Sequence, residues 1–71
     1  MTPEERKAAL KLIYRHTHKD YKGKFPDGTK TILVCRGGTC LVALDDLTDT
    51  EIADRLPSAQ RMEAKRLANR S

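Results

Sequence analysis

Seventy-one residues, 34% of them charged and 38% hydrophobic, make one small domain over 1–71, whose core supplies only a few kcal/mol of net stability. With no Trp, one Phe and two Tyr, the chain lacks the bulk to close a deep active site around such a core, so an enzyme is disfavoured and no cofactor is implied. The net charge of +4 is uneven: residues 1–30 hold eight Lys/Arg against four Asp/Glu and residues 31–71 six of each, an asymmetry that suits an electrostatically selected partner.

At the start of the chain Thr2 suits a helix cap, Pro3 the first helical position, and Glu5 the third position of a capping box. The spacing predicts a helix over 3–17. Ala9, Leu12, Ile13 and His16 share one face, widened by Ala8 and Leu10, while Lys7, Lys11, Arg15 and His18 fall opposite. Residues 1–7 do not resemble an export signal, and no apolar run approaches the roughly 18–20 residues of a membrane span. A cytoplasmic protein that meets no membrane is expected.

Pro26-Asp27-Gly28 marks a turn, through the fixed φ of Pro, the local hydrogen bonding of Asp and the freedom of Gly. Before it, residues 21–25 read either as a short lysine-bearing edge strand or as an irregular loop. After it come two aliphatic runs, 30–35 and 40–44, with Gly37-Gly38 between them, a strong hairpin signal. A two-residue loop at Gly37-Gly38 pairs Arg36 with Thr39, Cys35 with Cys40 and Val34 with Leu41. Leu33, Cys35, Cys40, Val42 and Leu44 then share one face, and Ile32, Val34, Leu41 and Ala43 the other. Both faces are apolar, so each needs a cover: one helix on each side, or one helix and a symmetry mate in a homodimer.

Thr48 and Glu51 form a second capping box, with Leu47 and Ile52 as its hydrophobic staple. Ile52, Ala53 and Leu56 give the buried stripe of the helix that follows, and Pro57 is expected to end or redirect it. Residues 58–69 favour a further helix with a weak stripe of Ala64, Leu67 and Ala68, so that 58–71 docks loosely. The fold class is α+β: an N-terminal helix, a central β-hairpin extendable to a three-stranded sheet, and one or two C-terminal helices.

Directly opposed cysteines at a non-hydrogen-bonded pair stand about 4.5 Å apart at Cα, within the reach of a disulfide. Cys35 and Cys40 are therefore read first as reduced core residues, second as a reversible disulfide, and last as zinc ligands with His16 and His18. A His-x-His pair on a helix points its two rings far apart, which suits one metal poorly, and no metal site is assigned. His16, on the apolar face near a helix C-terminus, reads as a partly buried hydrogen-bonded residue. Cys35 with His16 lacks the orienting group and oxyanion donors of a nucleophilic site.

Cations interleaved with aromatics carry the strongest functional signal: Lys7, Lys11, Arg15, Lys19, Lys22, Lys24 and Lys30 with Tyr14, Tyr21 and Phe25. Lys7, Lys11, Arg15, Lys19, Lys22, Lys24 and Arg36 are expected to contact nucleic-acid phosphates, with Tyr21 and Phe25 stacking on bases. The competing reading of the same lysines is a solvated face that keeps a small domain soluble. A protein-interaction or inhibitor module, using the exposed sheet face or the 57–71 helix, is the alternative.

Two resemblances bear on this. Glu51-Ile52-Ala53-Asp54-Arg55-Leu56, followed by Pro57-Ser58-Ala59-Gln60, resembles the first helix and turn of a helix-turn-helix. It departs from that motif at Pro57, where the turn glycine is usual, and at Glu63, where the second helix needs an aliphatic residue. Residues 31–56, with Thr-Ile-Leu-Val at 31–34, Gly-Gly-Thr at 37–39, Leu-Val-Ala-Leu at 41–44 and Leu47 to Pro57, are similar to small uncharacterised proteins of bacteria and their phages. That resemblance implies a small accessory factor and brings no active residues with it.

Overall fold

The computed structural model describes residues 1–70. Helix α1 (Pro3–His16) begins where the Thr2 hydroxyl accepts the Glu5 N–H at 3.1 Å. The same hydroxyl sits 3.1 Å from the Glu5 carboxylate and donates to it, in place of the second arm of a capping box. At the other end the Thr17 hydroxyl donates to the Ile13 C=O at 2.7 Å, satisfying one of the carbonyls a helix end leaves open. Ala9, Leu10 and Ile13 are its buried residues.

After a single 3-10 turn at Lys19–Tyr21, three strands form an antiparallel sheet in the order β1 (Lys22–Lys24), β2 (Lys30–Cys35), β3 (Thr39–Ala43). Part of the segment that reads equally as strand or loop is therefore a strand, with Lys22 opposite Ile32 and Lys24 opposite Lys30. The turn between β1 and β2 closes through Gly28 N–H to Phe25 C=O at 2.9 Å and Phe25 N–H to Thr29 C=O at 2.8 Å. Gly28 takes a φ of 91°, which L side chains rarely adopt, and the Asp27 carboxylate accepts the Thr29 N–H at 2.9 Å.

The β2–β3 loop holds three residues, one more than Gly37-Gly38 alone suggests. Arg36 N–H donates to Gly38 C=O at 2.9 Å, with Gly37 and Gly38 at φ 73° and 148°. Cys35 pairs with Thr39, Val34 with Cys40 and Leu33 with Leu41. The expected register is corrected by one residue, and such a slip moves every side chain of β3 to the other face. Cys40 and Val42 therefore join Ile32 and Val34 on the core side, while Leu33, Cys35, Leu41 and Ala43 share the outer face. Cys35 and Cys40 are free thiols, and this register sets them on opposite faces instead of directly opposite one another.

A second 3-10 turn, Leu44–Asp46, leads to α2 (Asp49–Asn69), where both arms of the Thr48–Glu51 capping box are present. The break expected at Pro57 does not occur, and α2 is one helix of 21 residues. Pro57 and Ala53 both lie on the exposed side, so the Ala53 carbonyl that the proline leaves without a donor is open to water. With no turn inside α2, the likeness to a helix-turn-helix does not extend to structure.

Both helices pack on the same face of the sheet. Ala9, Leu10 and Ile13 of α1, Ile52 and Ala59 of α2, Ile32 and Val34 of β2, and Leu44 and Leu47 form one core. A helix on each face is thus not the arrangement adopted, and Leu41 on the outer face stays 53% exposed. Along α2, burial reaches Ala59 and partly Glu63, and residues 64–69 are exposed.

Candidate functional site

Arginines and lysines divide the work of this molecule. Arg6 donates to the Asp49 carboxylate at 2.9 Å, to the Asp45 C=O at 3.0 Å and to the Leu47 C=O, fastening α1 to the start of α2. Arg36 grips Glu51 at 2.7 and 3.1 Å and reaches the Asp46 C=O at 3.2 Å. Arg15 and Arg66 each meet Glu63 at 2.7 Å, and His16 Nε2 lies 3.1 Å from the same carboxylate. The Arg36 guanidinium, with the Thr48 N–H, holds the Glu51 pKa at about 2. Arg66, helped by His16 and Arg15, holds Glu63 at about 2 as well. Asp49, Glu51 and Glu63, three of the six carboxylates in residues 31–71, are therefore held by arginines.

Among the described residues no lysine forms an ion pair with a carboxylate. Five of them come from α1 and two strands to one side. Lys7 and Lys11, one turn apart on α1, line a shallow depression of about 340 Å³ together with Thr29 and Lys30, and Asp45 is the one carboxylate there. Lys24 stands directly opposite Lys30. Because the neighbouring Phe25–Thr29 pair is the hydrogen-bonded one, Lys24–Lys30 is of the closer, non-hydrogen-bonded kind, and like charges in that position repel.

Tyr14 is the platform beneath them. Its hydroxyl donates to the Gly23 C=O at 2.8 Å, and the ammonium groups of Lys22 and Lys30 lie 5.1 and 5.4 Å from its ring centroid. Lys22 also donates to the Tyr14 C=O at 3.0 Å, at the end of α1 where carbonyls lack helical partners.

Of the residues expected to contact nucleic acid, the fold gathers Lys7, Lys11, Lys22 and Lys24. Arg15 and Arg36 are engaged by Glu63 and Glu51 instead. Lys19 is exposed in the first 3-10 turn. Phe25, 37% exposed, lies in the turn directly after Lys24. Tyr21 is 56% exposed, stands edge-on to His18 at 6.0 Å, and borders a different groove. Lys30 and Tyr14, central to the face, were legible only as one more cation and one more aromatic, because their place depends on residues 22–24 being a strand.

His, Cys, Asp and Glu side chains do not gather in threes to hold a metal ion among the described residues, and no helix there is long and apolar enough to cross a membrane. The fold and face together describe a small α+β module with a lysine surface. Compared with known proteins, the chain matches no family model, no curated protein and no solved structure.

Proposed function

We propose that this chain is a small non-enzymatic binding module that holds a nucleic-acid backbone against Lys7, Lys11, Lys22, Lys24 and Lys30. The observation behind it is Lys24 facing Lys30 with no carboxylate paired to either. Such a like-charge pair weakens a sheet on its own and is relieved when a phosphate lies between the two ammonium groups. Lysines are point charges without the fork that reads a base edge, so the contact is to backbone and independent of sequence. A reducing cytoplasm suits two free cysteines, one of them exposed.

The test is fluorescence anisotropy with a labelled random DNA duplex and a labelled single strand over a range of salt. Five lysines on duplex phosphates give log K against log salt a slope of about −4 to −5. Reversing both Lys24 and Lys30 to Glu abolishes binding at low salt. Affinity that ignores salt, or that survives this reversal, overturns the proposal.

A protein-interaction or homodimer module is the second reading, supported by Leu41, 53% exposed opposite Leu33 on the sheet face away from the helices. Light scattering of the purified chain separates monomer from dimer, and the Leu41→Lys variant removes a dimer built on that face.

A further inference from the structure

Strand β1 covers only part of the edge of β2. Their pairing ends at Lys22–Ile32, and β2 continues to Cys35. In an antiparallel ladder alternate residues turn their main-chain groups to alternate sides. The Arg36 N–H bond to Gly38 sets the even-numbered residues of β2 toward β3, and the Phe25 N–H bond to Thr29 sets the odd-numbered ones toward β1. The Leu33 C=O and the N–H and C=O of Cys35 therefore face the vacant side. Tyr21 N–H, which a longer β1 would bring to Leu33, is taken by the His18 C=O at 2.9 Å.

This vacant edge adjoins a groove of about 560 Å³, walled by Ile13 and His16 of α1, by Tyr21, and by Arg55, Ala59 and Met62 of α2. We propose that the groove takes a short extended segment of another protein, added as a strand beside residues 33–35, with one apolar side chain lodged between sheet and helices.

Main-chain complementarity selects this occupant. In a segment running parallel to β2, the residue opposite Val34 donates its N–H to the Leu33 C=O and accepts the Cys35 N–H. Residues opposite one another in a sheet share a face. Val34 is 2% exposed and points to the core side, so the facing residue sends its side chain toward Ile13, Ala59 and Met62. An apolar side chain is the one that gains there.

A second copy of this chain meets an obstacle in the register that uses both Leu33 and Cys35. In a two-fold antiparallel pairing centred on Val34, Arg36 of one copy falls opposite Ile32 of the other, where Lys22 already stands. A single extended segment meets no such obstacle. The groove shares no lining residue with the lysine depression, so the two sites stand or fall separately.

The experiment titrates the isotope-labelled full chain with the synthetic peptide acetyl-Thr-Thr-Leu-Thr-Thr-amide and follows amide shifts and hydrogen exchange. Shifts are expected at Cys35, Ala59 and Met62. At ten times its Kd the peptide slows exchange of the Cys35 amide about tenfold. The same peptide with Asp in place of Leu does not bind, and Met62→Glu, a change at a half-exposed position checked by thermal melting, removes binding of the Leu peptide. No shifts at millimolar peptide, or shifts without protection of Cys35, overturn the proposal.

Discussion

Arg36 and Glu51, fifteen residues apart, meet in a two-pronged ion pair of 2.7 and 3.1 Å that ties the β2–β3 turn to the first turn of α2. One oxygen of the same carboxylate also accepts the Thr48 N–H at 2.9 Å. A single side chain thus closes a helix cap and anchors a hairpin. The parallel arrangement at Glu63 ties α1 to α2 through Arg15 and His16.

These two carboxylates link the stability of the fold to acid pH. Both have a folded pKa of about 2 against an ordinary 4.5. A depressed carboxylate contributes stability that is fully present above its unfolded pKa and is lost as pH falls through the folded one. Urea midpoints are expected to hold down to pH 4.5 and to drop between there and about 2. Changing Glu51 and Glu63 together to Gln lowers the neutral-pH midpoint and flattens that acid drop. A wild-type midpoint that stays level across the window contradicts the ion pairs.

The hairpin register is open to a chemical test. Cys35 and Cys40 lie on opposite faces, so mild oxidation of the monomer forms no internal bridge. Cys35 and Thr39 are the true opposite pair. They occupy a non-hydrogen-bonded site, where Cα atoms stand about 4.5 Å apart. Oxidising the Thr39→Cys, Cys40→Ser variant is expected to close a disulfide with Cys35, seen as a loss of two protons by mass spectrometry. The opposite outcome in both proteins restores the two-residue loop.

Pro57 stands inside α2 on its exposed side. A proline in a helix interior costs up to about 3 kcal/mol relative to alanine. Pro57→Ala is expected to stabilise the chain by about 1–3 kcal/mol in urea unfolding, since it restores the hydrogen bond to the Ala53 carbonyl. Destabilisation instead means that the proline itself helps to seat Ala59 in the core.

Lysine and arginine variants should part company in the binding assay. Lys11→Gln and Lys30→Gln are each expected to weaken DNA binding and to reduce the salt slope by about 1. Arg15→Gln, which removes a charge already held by Glu63, leaves the slope unchanged while lowering the melting temperature. Equal effects of all three on the slope point to diffuse attraction by net charge instead of a defined face.

Local signals were strong enough to be read where a few neighbouring residues decide the outcome. The Thr2 and Thr48 caps, the α1 stripe, the Pro26-Asp27-Gly28 turn and the staple of Leu47 and Ile52 all work within one or two turns of chain. The structure departs from the local expectation at Gly37-Gly38 and Pro57, where a local preference competes with packing. A glycine pair permits several loop lengths, and burying Cys40 and Val42 beside Ile32 and Val34 favours the longer one. Likewise, Ala59 and Glu63 dock against the rest of the fold and carry the helix across the proline.

Sequence alone determined the class of this protein: a small α+β domain with an N-terminal helix, a β-hairpin and a helical C-terminal part, its cations concentrated in residues 1–30. Only the tertiary structure decided which cations are held by carboxylates. Arg6, Arg15 and Arg36 meet their carboxylates from positions 43, 48 and 15 residues away, and Lys24 meets Lys30 only because β1 pairs with β2. The open stretch of β2 beside Leu33 and Cys35 likewise exists because β1 stops at Lys22 while β2 continues. Charge and periodicity are properties of the chain, whereas pairing depends on which distant groups the buried core brings within a few ångströms of each other.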